Sequence, residues 1–75
     1  MSGSGLPVVS GASAVKAFRK DGWIVVRQEG SHVMLIKSGE LATLSIPQHK
    51  ELGPGLLRKL IKKAGLTEDQ FKKLQ

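Results

Sequence analysis

The 75-residue chain has no cysteine and no tyrosine, one tryptophan and two phenylalanines. Without cysteine there is neither a disulfide framework nor a thiolate metal site, a composition that suits a reducing cytoplasm. No apolar run approaches the roughly 20 residues of a membrane span, and no signal-peptide pattern is present. Acidic residues are also scarce: six Asp and Glu stand against twelve Lys and Arg, a formal charge of +6. On so small a body this field favours nucleic acid, an anionic membrane surface or an acidic protein partner, and charge alone does not choose among them. Two histidines far apart in sequence, with no acidic cluster, do not make a metal site. No metal or other cofactor is expected.

What is present fits one small α+β domain over residues 6–75, with a core worth on the order of 3–5 kcal/mol net. The opening "MSGSG" reads as a flexible arm or the remnant of a tag. "GASAVKAFRKDGW" has helical spacing, with Ala14, Val15 and Phe18 on one side and Ser10 or Ser13 as cap, which predicts a helix over 11–21. Three short β-rich runs follow, "WIVVRQ", "SHVMLIK" and "ELATLSI", separated by "EG" and "SG". Glycine-containing two-residue links of this kind predict a three-stranded antiparallel meander that Pro47 terminates. "PGLLRKLIKKAG" is a helix with Pro54 in its first turn and an apolar stripe of Leu57, Leu60, Ile61 and Ala64. "LTEDQFKKL" is a last short helix in which Thr67 and Gln70 resemble a capping box, docked by Phe71 and Leu74. The order is α-β-β-β-α-α, with the helices on one face of the sheet.

Two-residue loops would set Arg27 opposite His32, Val26 opposite Val33 and Ile24 opposite Leu35, and in the second hairpin His32 opposite Ser45 and Leu35 opposite Ala42. Directly opposed residues share a face. One face is then apolar throughout (Ile24, Val26, Val33, Leu35, Ala42, Leu44, Ile46) and calls for helical cover. The other carries Arg27, His32 and Ser45 at a polar end and Trp23, Met34, Ile36 and Leu41 at an apolar end. An open apolar sheet face marks a partner site, so these last four are expected at a partner interface. Trp23 can alternatively stack on a base or belong to the core.

His32 either tolerates a strand edge or moves a proton; an imidazole near its ordinary pKa of ~6.5 can do so at neutral pH. Arg58, Lys59, Lys62 and Lys63 fill the polar arc of the helix that carries the Leu57, Leu60, Ile61 and Ala64 stripe. They are either a solvated face or a track for RNA phosphates.

Three segments carry a resemblance: "LPVVSGASAVKAFRKDGW", "RQEGSHVML" and "IPQHKELGPGLLRKLIKKAGLTEDQF". In order and spacing they resemble the HicA family of toxins, RNA-cleaving partners of HicB antitoxins whose fold is similar to the double-stranded-RNA-binding domain. The resemblance covers nearly the whole chain after Gly5. It implies that the histidine of the Gly30-Ser31-His32 triplet is catalytic. Many members have a second histidine or polar residue next, where this chain has Val33. The family's histidine after the third strand maps onto His49.

The implied chemistry suits the residues. RNA brings its own nucleophile, the 2′-OH, so a metal-independent endoribonuclease (an mRNA interferase) needs a base, an acid and cations for the phosphorane. His32 is the best acid or base. Arg27 can hold the phosphate or be a solvated strand residue, Ser31 can contact RNA, and His49 can carry a proton or contact phosphate, or be an ordinary loop residue. The expected partners are mRNA and a HicB-like antitoxin. The rival is a small RNA-binding domain of the same fold with no chemistry.

Overall fold

The structure, a computed structural model, describes residues 6–75; the arm expected over 1–5 lies outside them. Ser10 caps the first helix, α1 (Gly11–Lys20), by accepting from the Ser13 backbone N–H. Three strands follow: β1 (Ile24–Glu29), β2 (His32–Ile36) and β3 (Leu44–Pro47). They form one antiparallel sheet in the order β1-β2-β3. Then come α2 (Pro54–Lys63) and α3 (Glu68–Leu74). Pro54 stands in the first turn of α2, and Thr67 with Gln70 closes a capping box on α3. The α+β order α-β-β-β-α-α is therefore as the sequence predicts.

The helices cover one face of the sheet. Leu35, Leu44 and Ile46 have no measurable exposure and Val33 is buried; Phe18, Leu57, Leu60, Ile61 and Phe71 bury against the same core. The Phe18 and Phe71 rings meet at 5.2 Å and join α1 to α3. This cover reaches β2 and β3 but not β1, whose six residues are all exposed. The principal packing partner of β1 is β2, whereas α1 and α2 both lean on β3.

The register departs from the expected one in three ways. The first turn is Gly30-Ser31, not Glu29-Gly30, so Glu29 faces His32 and Arg27 faces Met34. Gly30 has φ +58°, and among the described residues only glycines have positive φ. Glycine alone at the first central position is the mark of a type II′ hairpin turn. Second, the ladder slips between Val25 and Arg27, leaving Val26 unpaired. Such a bulge flips the alternation, so Val25 shares the helix-covered side with Leu35, and Ile24 shares the open side with Ile36. Third, β3 begins at Leu44 rather than Glu40, and the second hairpin pairs Leu35 with Leu44 and His32 with Pro47. The Ala42 position opposite Leu35 is thereby overturned. In this longer connection Lys37 reaches Asp21 at 3.1 Å, beside the end of α1.

Candidate functional site

His32 opens β2 immediately after the glycine turn, and its side chain is exposed. It shares the open face with Met34 and Ile36 on its own strand, with Ile24, Arg27 and Glu29 on β1, and with Ser45 on β3. Two contacts fix the turn. The Gln28 side-chain amide donates to the Gly30 carbonyl at 3.1 Å. The Gln48 backbone N–H donates to the Ser31 carbonyl at 2.7 Å. The second brings the segment after β3 alongside the turn, so His49, also exposed, follows directly on the chain that flanks Ser31. The His49 carbonyl accepts from the Gly11 N–H at 2.9 Å, which ties that segment to the start of α1.

Arg27 does not stand opposite His32. The residue opposite His32 is Glu29, and the Arg27 Nε lies 2.6 Å from a Glu29 carboxylate oxygen, both side chains being more than half exposed. Cation, carboxylate and imidazole thus line the same face of one hairpin tip. Sequence reasoning missed Glu29. The signal that finds it is the turn itself: placing Gly30 first in a II′ turn, rather than second in the turn, puts Glu29 opposite His32.

The expected partner residues separate. Met34 and Ile36 lie on the open face, with Ile36 44% exposed, and Ile24 joins them at 60%. Trp23 does not: it is 1% exposed, its backbone N–H donates to the Phe18 carbonyl, and its indole packs in the core. It precedes β1 and closes the end of α1, so it takes no part in strand alternation and is excluded from base stacking. Leu41 lies fully exposed in the β2–β3 connection, off the sheet.

The basic arc of α2 lies elsewhere. Leu57, Leu60 and Ile61 face the core, so Lys59, Lys62 and Lys63 point away from the sheet, while His32 stands on the sheet's opposite side. Arg58 is engaged by Glu68 of α3 at 3.2 Å, an acidic neighbour that α2 itself lacks. Among the described residues no group of three or more His, Asp or Glu side chains comes together, and no helix is long and apolar enough to cross a membrane.

Residues 11–66 match the family model of the HicA toxin of bacterial toxin–antitoxin systems. The chain belongs to the HicA toxin family. The match runs from the first residue of α1 past the end of α2, and so includes the Gly30-Ser31-His32 turn, the whole sheet and His49. A solved chain from a toxin–antitoxin complex of Streptococcus pneumoniae is similar: it is 36% identical, with a TM-score of 0.68, over 77% of this chain and 98% of that one. No curated protein matches. HicA membership accounts for the likeness in both sequence and fold.

Proposed function

We propose that this chain is the toxin of a toxin–antitoxin pair and that it cleaves mRNA without a metal, with His32 transferring a proton as the ribose 2′-OH attacks the adjacent phosphate. The observation that carries the reading is the position of His32 in a HicA-family chain: exposed, first in its strand, and on the face that the helices leave open. The exposed imidazole is accessible to a phosphodiester laid on this face. The backbone of Gly30 also leaves room, since a Cβ placed there would meet nothing within 4 Å. Arg27 supplies a cation for the phosphorane, and cationic donors aimed at developing charge are a large term in phosphoryl chemistry. Ser31 in the turn and His49 on the segment beside it serve as further RNA contacts.

The partner is a HicB-like antitoxin that occludes this face. Ile24, Met34 and Ile36 give it an apolar footing beside His32, with Leu41 at the margin. Its acidic groups would be steered by the +6 charge of the chain. The site of action is the cytoplasm, where mRNA is found.

The test is expression of the wild type and His32→Ala side by side, with growth and RNA integrity recorded. Wild type should arrest growth and fragment mRNA, and a folded His32→Ala should do neither. Full toxicity of folded His32→Ala would remove the mechanism. Wild type that binds RNA but never cuts it would favour the binding-module alternative.

A further inference from the structure

The cleavage proposed above needs two proton carriers, and His32 is one. In-line attack places the 2′-oxygen and the leaving 5′-oxygen on opposite sides of phosphorus. The base and the acid must therefore flank the phosphate, close enough for both to reach it at once. The hairpin tip offers a second group in that position. Glu29 and His32 are the last paired residues before the turn. Directly opposed residues on an antiparallel ladder hold their Cβ atoms about 4.5–5.5 Å apart on one face. Arg27, two residues back along the same strand, lies 2.6 Å from the Glu29 carboxylate. That contact places the carboxylate beside the Arg27 guanidinium on the open face, and the guanidinium has further donors for phosphate oxygens.

Resting on RNA cleavage at His32, we propose that Glu29 is the general base of the reaction and His32 its general acid. Carboxylates accept protons at neutral pH, whereas imidazolium is the side chain that donates them there. The Glu29 carboxylate takes the 2′-OH proton as the 2′-oxygen forms its bond to phosphorus. The bond from phosphorus to the 5′-oxygen breaks, and His32 gives its proton to that oxygen. The products are a 2′,3′-cyclic phosphate and a 5′-OH, with one proton received by Glu29 and one lost by His32, so no water or co-reactant is consumed. Arg27 faces the phosphorane charge. His49 is the rival for the second role, but it follows β3 and has no ladder position opposite His32.

The charged groups on this face of the hairpin are Arg27, Glu29 and His32. The facing residues of β3, Ser45 and Pro47, do not titrate in the working range. A rate–pH profile therefore reads mainly the carboxylate and the imidazole, with His49 on the neighbouring segment checked by its own variant. The experiment uses the purified full chain and a short RNA oligonucleotide, comparing wild type, His32→Ala, Glu29→Gln, Glu29→Asp and His49→Ala, each checked for folding by circular dichroism. Glu29→Gln should lower kcat by about 10²–10⁴-fold with KM little changed. It should also lose the low-pH limb of the wild-type profile, where rate rises as the base ionises. Glu29→Asp should recover part of the rate and restore that limb. Wild-type products should carry a 2′,3′-cyclic phosphate. If Glu29→Gln cleaves within threefold of wild type while His32→Ala is inactive, Glu29 is not the base and cleavage at His32 stands without it. A larger kcat loss in His49→Ala than in Glu29→Gln would overturn the assignment in favour of the segment after β3. Wild type that leaves the oligonucleotide intact would remove the cleavage reading and this assignment together.

Discussion

Gly11 approaches Pro47 so closely that a Cβ on Gly11 would lie 2.1 Å from the Pro47 carbonyl oxygen and 2.8 Å from the Gln48 Cα. Both obstacles are backbone and cannot swing aside. The approach lets the Gly11 N–H reach the His49 carbonyl, so the start of α1 holds the segment that flanks the Ser31 turn. Gly11→Ala should lower unfolding stability by about 1–3 kcal/mol, the usual range for overpacking a filled site. Urea denaturation measures it. Wild-type stability in that variant would mean that the contact relaxes without cost.

Reversing Lys59, Lys62 and Lys63 to Glu tests whether the far side of α2 touches RNA. If all three contact phosphates, the log–log dependence of binding on salt should flatten by roughly two units, since a single strand contributes about 0.7 per contact. These lysines project away from the sheet. An unchanged slope would leave RNA on the hairpin face alone and make the α2 arc a solvated surface.

Met34 lies between Arg27 and Ser45 on the open face and is half-buried. An antitoxin seated there would bury it fully, and a carboxylate in its place would lose its water. Met34→Asp should weaken a complex with a HicB-like protein by at least ~2 kcal/mol, read by calorimetric titration. Hydrogen exchange on the wild-type complex should show protection over residues 31–36. Protection confined to α2 and α3 would place the partner on the helical layer.

Cleavage should persist in excess chelator, because the proposed base, acid and cation are all side chains of the hairpin. An assay with and without EDTA decides it. Activity that disappears with EDTA and returns with Mg²⁺ would mean that a metal, not the imidazole and carboxylate, moves the charge.

The helices were legible because their signals are local. Ser10, Pro54 and the Thr67–Gln70 pair state where helices begin, and Leu57, Leu60, Ile61 and Ala64 recur at a helical period that no strand imitates. The sheet was legible in order and in the identity of its covered face on β2 and β3, since Val33, Leu35, Leu44 and Ile46 are all buried. Its register was not. Ile24, Val25 and Val26 are three β-branched residues in a row, and such a run contains no alternation from which a bulge can be read. The first turn offered glycine to two different turn types, and the choice decides which residue opposes His32. Trp23 misled for a related reason: it is adjacent to a strand in sequence, yet its backbone bonds back to Phe18 in α1. Of the proposed site, His32 is singled out by the Gly-Ser-His triplet through the family resemblance, whereas Glu29 needs the turn geometry.

With β1 exposed on both sides and resting on β2, stability and the proposed chemistry draw on different parts of the chain. The free energy of folding comes from residues such as Phe18, Leu35, Leu44 and Phe71, none of which lies at the hairpin tip. The tip residues Arg27, Glu29, Ser31 and His32 bury little, and regions of that kind open by local fluctuation without unfolding the rest. On the function proposed above, substitutions there change the rate, the RNA preference or the fit of an antitoxin while leaving the melting temperature almost where it was. A toxin and its antitoxin can therefore diversify at their contact, pair by pair, without first having to acquire a more stable scaffold.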